Sequence, residues 1–214
     1  MLSSQALLHL ACPGGLLETL HLPAKAPECG VAVLHHPNPL QGGTFTNKTV
    51  QTAAKALNLL GFHAYLPNSR GTGKSEGSHD YGRGETEDFL AAAAQIRARH
   101  PDLPRFAIGG FSFGGYVAAL AAPQCPHDLL LLVGAAVGHY TERTPAPAVP
   151  DAAKTVAIHG ADDEVVPLQN VLDWAAPQDL PVIVQPGASH FFHGKLIQLR
   201  DNIVRFTRPV IEAA

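Results

Sequence analysis

The segment Gly109-Gly110-Phe111-Ser112-Phe113-Gly114-Gly115 constrains this chain more than any other, because it sets a GxSxG match (Gly110 to Gly114) between two runs of opposite character. Upstream, Arg105 to Gly110 reads RFAIGG, short, apolar and rich in strand formers; downstream, Tyr116 to Ala122 reads YVAALAA, mostly good helix formers. A strand turning sharply into a helix with serine at the apex is a nucleophile elbow. The flanking glycines have a mechanical reason, since in so tight a turn a side chain two residues from the serine would strike neighbouring backbone. The expectation is a Ser112 Oγ exposed above a sheet, over the amide end of a helix. A chain with 20 glycines can match GxSxG by chance, so the weight rests on the strand and helix around it.

Beyond this segment, apolar runs and amphipathic stretches alternate, the pattern of a mostly parallel sheet with helices on both faces. Ala6 to Ala11 and Leu16 to Leu22 flank the turn Pro13-Gly14-Gly15 and predict an opening hairpin. Strands are then expected at 30–35, 62–66, 105–110, 128–137, 154–159 and 181–184, eight in all. Helices are expected at 47–60, 85–100, 116–122, 168–176 and 195–214, with Leu196, Leu199, Ile203 and Phe206 at helical spacing in the last. A glycine-rich loop is expected from Asn68 to Gly84.

At 214 residues the pattern fits one domain spanning 1–214, able to bury about 70% of its unfolded surface. Cys12, Cys29 and Cys125 lie far apart, an odd count with no CxxC, so neither a disulfide framework nor a thiolate metal site is indicated. Met1 to Gly15 contains the apolar stretch Leu7 to Cys12, but no Lys or Arg precedes it, His9 interrupts it, and it is too short to span a bilayer. It reads as an edge strand, and the expected location is cytoplasmic. A net charge of −3 with 15% charged residues offers no basic face for nucleic acid and no membrane anchor.

A serine hydroxyl is a poor nucleophile at neutral pH, so it needs a base, and the base needs an acid to fix its tautomer. In the α/β-hydrolases, which the elbow segment resembles, these follow in the order Ser, Asp, His, each past the C-terminal end of a strand. After strand 154–159 comes HGADDEVVP (His159 to Pro167), where GxxDxxVP spacing points to Asp163 as the acid; Asp162 and Glu164 compete for the role. After strand 181–184 comes QPGASHFFH (Gln185 to His193), which offers His190 as the base, while His36 and His193 read as structural or supporting groups.

These stretches, with HHPNPLQGGTFTNK (His35 to Lys48) and SRGTGKSEG (Ser69 to Gly77), resemble the α/β-hydrolases, and among them the small lidless bacterial serine hydrolases with an HPHP-type motif after the third strand, dienelactone-hydrolase-like. The resemblance implies the α/β-hydrolase fold, an eight-stranded, mostly parallel sheet with helices on both faces and no lid domain. It also implies a Ser112, Asp163, His190 triad, no cofactor, no metal and a structural RGxGxSxG loop. One departure is Asn38, where that family usually repeats histidine. Acyl transfer also needs two donors for an oxyanion, one of them the Phe113 amide directly after the nucleophile. In His36-Pro37-Asn38-Pro39-Leu40 the prolines carry no N–H, which leaves the Asn38 amide as the second. Its side chain is a further candidate for lining the pocket, and a rigid extended loop without a catalytic role is the alternative.

Three rivals remain. Asn68 to Ser75 (NSRGTGKS) ends like a phosphate-binding loop but has Asn68 where glycine is required and no helix pattern after the lysine. His190 and His193, three apart, could converge with Asp162 and Asp163 on a metal, which would leave the elbow unexplained. A non-catalytic hydrolase-like module fits poorly with three filled triad positions. The expected protein is therefore a serine hydrolase of a small-molecule ester or thioester. Amidase, peptidase or acyltransferase chemistry would use the same groups. Only Gly138 to Ala153, with Pro145, Pro147 and Pro150, is available to cover the site, and so short a proline-rich segment is not expected to form a helical cap.

Overall fold

Successive side chains of a strand point to opposite faces, and the computed structural model, which describes residues 6–139 and 144–213, has one sheet with helices on both. The strands are β1 (Ala6–Cys12), β2 (Gly15–Leu22), β3 (Gly30–His35), β4 (Phe62–Pro67), β5 (Arg105–Phe111), β6 (Leu129–Val133), β7 (Thr155–Gly160) and β8 (Val182–Gln185). The helices are α1 (Lys48–Leu59), α2 (Arg83–Ala98), α3 (Phe113–Ala121), α4 (Leu168–Ala175) and α5 (Leu196–Ala213). The sheet runs β1-β2-β4-β3-β5-β6-β7-β8. Only β1 with β2 and β2 with β4 pair antiparallel; every other pairing is parallel.

Strand β6 shows how the faces are assigned. Leu129, Leu131 and Val133 pack with the buried residues of α1 and α5, whereas Leu130 and Leu132 pack with those of α2, α3 and α4. Five consecutive apolar side chains are thus all buried, as a central parallel strand requires. Parallel strands also place all their C-terminal ends at one edge. The loops after β3, β5, β7 and β8 meet there, which is where an open α/β sheet binds its ligands.

Several boundaries differ from the expected ones for local reasons. The ladder of β6 stops at Val133 rather than 137, because Gly134 turns left-handed (φ 48°) and carries Ala135 to Val137 into buried irregular chain. Helix α3 begins at Phe113, three residues before its expected start at Tyr116, since Gly114 and Gly115 mask its first turn from a propensity reading. Helix α2 likewise begins at Arg83 rather than Glu85. The Glu85 carboxylate accepts the Gly82 amide at 2.8 Å and the Asp80 amide at 2.8 Å, which anchors the start of the helix. Ala214 lies outside the described residues.

The glycine-rich loop is clamped to the opening hairpin. Arg70 Nε donates to Asp88 Oδ2 at 2.7 Å and Arg70 Nη2 to the Gly84 carbonyl at 2.8 Å, while Asp88 Oδ1 accepts the Gly14 amide at 2.7 Å. The Lys74 amide donates to Glu18 Oε2 at 3.1 Å. A phosphate cradle needs free amides and a helix starting at the lysine; here a carboxylate already holds that amide and no helix follows. The loop is a brace between β2, β4 and α2.

Candidate active site

Ser112 sits where β5 ends and α3 begins, with φ 56° and ψ −120°, a conformation that costs a non-glycine residue of order 1–3 kcal/mol. Its backbone is held on both sides, the amide by the Val133 carbonyl at 3.0 Å and the carbonyl by the Ala136 and Tyr116 amides at 3.0 and 3.1 Å. The flanking glycines behave as the sequence predicts. A Cβ on Gly110 would run into the Gly114 backbone, and one on Gly114 into the His35 carbonyl oxygen. Ser112 is less open than expected, with only 6% of its surface exposed, because the loop after β3 and the ring of Phe191 crowd the elbow.

His190, on the loop after β8, bridges serine and acid. Its Nδ1 lies 2.7 Å from Asp163 Oδ2 and its Nε2 2.9 Å from Ser112 Oγ. A carboxylate only accepts, so Nδ1 carries a hydrogen, and in the neutral ring this leaves Nε2 bare toward the serine hydroxyl. Neighbouring acids separate cleanly. Asp163 is buried against the ring, Glu164 Oε2 instead accepts the backbone amide of His190 at 3.1 Å, and Asp162 is exposed. Asp163 Oδ1 accepts the amides of Val165 and Val166 at 3.0 and 2.7 Å. Burial pushes the Asp163 carboxyl up, but the hydrogen bond and charge of His190, the Val166 amide and His159 outweigh it and hold the pKa below the usual carboxylate range.

His159, the penultimate residue of β7, is a contributor that the spacing argument passed over. Its Nε2 lies 2.8 Å from the Val166 carbonyl and 3.3 Å from Asp163 Oδ2, so its one N–H supports the loop that presents the acid. Burial depresses its pKa, more than the Val166 carbonyl and Asp163 raise it. The metal arrangement does not form. Both ring nitrogens of His190 are engaged, His193 is exposed and stacks on Phe191 at 5.8 Å, and the described residues contain no cluster of His, Cys, Asp or Glu suited to an ion.

The loop after β3 arches over the serine. Asn38 Oδ1 accepts the Leu40 amide at 3.0 Å and so caps the turn Pro39–Gln41 rather than reaching toward Ser112. Asn38, Gly42, Ser112, His190 and Phe191 line a pocket of about 50 Å³. A cavity of about 630 Å³ lies among Arg97, Phe106, Cys125 and Asp128, at the N-terminal ends of β5 and β6. That is the opposite sheet edge from the serine. Among the described residues of the 134–154 connection the one helical element is the single 3-10 turn Ala152–Lys154; residues 140–143 of the expected uncapped segment lie outside the described set. No helix among the described residues is long and apolar enough to cross a membrane.

Several histidines are held neutral, which makes stability depend on pH. Burial lowers the pKa of His35, His36 and His159, and burial with His63 and His100 nearby brings His21 down to about 4. In the unfolded chain these groups titrate near the ordinary value of about 6.5. Below that pH the unfolded state binds protons that the folded state refuses, so stability present at neutral pH is lost progressively on acidification toward about 4. The urea midpoint should therefore fall between about pH 7 and about pH 5. An unchanged midpoint across that window would contradict the neutral assignment.

A family model described as serine aminopeptidase, S33, matches residues 40–158, which include Ser112. Among solved structures, a serine hydrolase without lid from Xanthomonas campestris is 33% identical, with 97% of this chain and 95% of that one covered at a TM-score of 0.86. An α/β serine hydrolase homologue from Coxiella burnetii is 37% identical, with 96% and 98% covered at a TM-score of 0.83. An uncharacterized protein of Rickettsia prowazekii is 34% identical over 122 residues, 56% of this chain, and the match spans about half (51%) of that protein. More than half of the chain lies inside the family model and nearly all of it superposes on serine hydrolases at least 33% identical, so the chain belongs to the α/β-hydrolase superfamily, as a serine hydrolase.

Proposed function

We propose that this serine hydrolase cleaves small carboxylic esters or thioesters through an acyl-enzyme. The observation that carries the reading is the single imidazole of His190, bonded to Asp163 on one side and 2.9 Å from Ser112 Oγ on the other. Ser112 Oγ attacks the acyl carbon while His190 Nε2 takes its proton, and Asp163 stabilises the imidazolium. The tetrahedral oxyanion receives the amides of Phe113 and Asn38. Its collapse expels the alcohol or thiol, which leaves with the proton from His190. Water, deprotonated by His190, then attacks the acyl-enzyme and releases the acid and Ser112. No step calls for a cofactor or metal.

The Asn38 assignment concerns a backbone atom, which substitution of the side chain leaves in place. Asn38→Ala should retain most of kcat, with some loss from the missing cap on the Leu40 amide. Asn38→Pro removes the N–H and should lower kcat by about 10² to 10³. Equal damage from both variants would move the role to the side chain; no effect from either would place the second donor elsewhere.

Acyl specificity follows from the size of the pocket. Only about 50 Å³ of enclosed space adjoins Ser112, so a long acyl chain would extend into water, and each methylene left in water forgoes roughly 0.8 kcal/mol of binding. Across p-nitrophenyl esters and acyl-CoA thioesters of graded length, kcat/KM should be flat or falling beyond about six carbons, without activation at a lipid interface. A steady rise to long chains would overturn this. The description of the matching family model favours amide cleavage as the second reading. Aminoacyl arylamides turned over faster than the best ester would select it, because the same triad serves both leaving groups.

A further inference from the structure

We propose that His36 is a positioning residue that aims the oxyanion-binding amide of Asn38 by gripping the carbonyl at the other end of the same peptide unit. This inference rests on the role proposed above for the Asn38 amide and explains how that amide is held. A trans peptide is planar, with its C=O and N–H pointing in opposite directions. The Pro37 carbonyl and the Asn38 N–H form one such unit. Fixing the carbonyl therefore fixes the direction of the amide.

His36 Nδ1 lies 2.7 Å from the Pro37 carbonyl oxygen, and its Nε2 lies 2.8 Å from the Ser69 backbone nitrogen. The carbonyl only accepts, so Nδ1 must carry a hydrogen; the amide only donates, so Nε2 must be bare. Backbone partners on both sides thus admit one state of the ring, the neutral Nδ1–H tautomer. The ring is fully buried, and burial together with the adjacent His35 holds its pKa well below the ordinary histidine range. His35 repeats the pattern, with Nδ1 3.0 Å from the His36 carbonyl and Nε2 3.1 Å from Ser69 Oγ. The two rings stack at 4.9 Å, tying the loop after β3 to the loop after β4.

The other side of Asn38 is fixed as well. Its carbonyl accepts the Gln41 and Gly43 amides at 3.1 and 3.0 Å. Gly43 approaches so closely that a Cβ there would run into the Pro37 carbonyl oxygen. Rotating the Pro37–Asn38 peptide would break the His36 bond. The carbonyl is held by a buried ring, and the residues on either side of this peptide, Pro37 and Asn38, line one pocket with Ser112 and His190.

The test combines kinetics with a direct reading of the ring. In wild-type protein labelled with ¹⁵N-histidine, His36 should show a protonated Nδ1 and a bare Nε2 at neutral pH. The opposite tautomer, or a charged ring, would overturn the proposal without any variant having to fold. His36→Leu removes the grip and should lower kcat on a short p-nitrophenyl ester by up to about 10² with KM changed less than about threefold, since the loss falls on the oxyanion. His36→Asn keeps a donor near the Nδ1 position and should recover about tenfold of that loss, which a purely structural histidine would not predict. Full kcat in a folded His36→Leu enzyme beside an active wild type would sink this inference alone. A wild type that neither turns over esters nor reacts with a fluorophosphonate would sink the hydrolase reading, and this inference with it.

Discussion

Ser112→Ala and His190→Ala should each lower kcat on the best short-chain ester by on the order of 10⁴ to 10⁶, and the double variant should be little worse than either single one. The non-additivity is the informative part. Ser112 Oγ and His190 Nε2 sit 2.9 Å apart as donor and acceptor of one proton, so once either is gone the other has nothing to do. Both side chains are nearly buried, but neither substitution empties the core, and folding should survive. Steady-state kinetics with a check of the unfolding midpoint settles the matter. Independent, multiplicative losses would mean that the two residues do not act in one step.

Asp163→Asn should cost about 10⁴ in kcat, while Asp162→Asn should cost little. An asparagine at 163 can turn its NH₂ toward His190, which favours the tautomer with the hydrogen on Nε2 and leaves no base facing Ser112. Asp162 is exposed and touches neither ring nitrogen. Glu164 is the intermediate case. Its carboxylate holds the His190 backbone amide at 3.1 Å, so Glu164→Gln should be far milder than Asp163→Asn. The pH dependence of kcat separates the two roles, because only loss of the Asp163 charge changes what the imidazole can accept. Equal losses at 162 and 163 would show that GxxDxxVP had been read in the wrong register.

What the sequence made legible were features with local mechanical causes. Glycines at 110 and 114 declare an elbow because no Cβ fits there, and a buried parallel strand such as Leu129–Val133 declares itself by its unbroken apolar run. Spacing after strand ends carried Asp163 and His190, since a parallel sheet brings those ends together whatever the loops contain. Illegible features depend on contacts between distant segments. The state of His36 is fixed by an amide 33 residues away, and nothing near His36 in the chain announces it. The support that His159 gives Asp163 depends on a bent loop returning the Val166 carbonyl to the strand. Likewise, the tightness of the pocket arises from the arch after β3 meeting Phe191, and the start of α3 is hidden by glycines that the turn requires.

The most direct test of the account is covalent. Incubated with a fluorophosphonate and digested, the protein should carry the phosphonyl group on one peptide and at one residue, Ser112, because its hydroxyl lines the pocket and has His190 Nε2 2.9 Å away to remove its proton. Ser112→Ala and His190→Ala should both abolish labelling. Modification at another residue, or undiminished labelling of the His190→Ala protein, would contradict the claim that His190 activates Ser112.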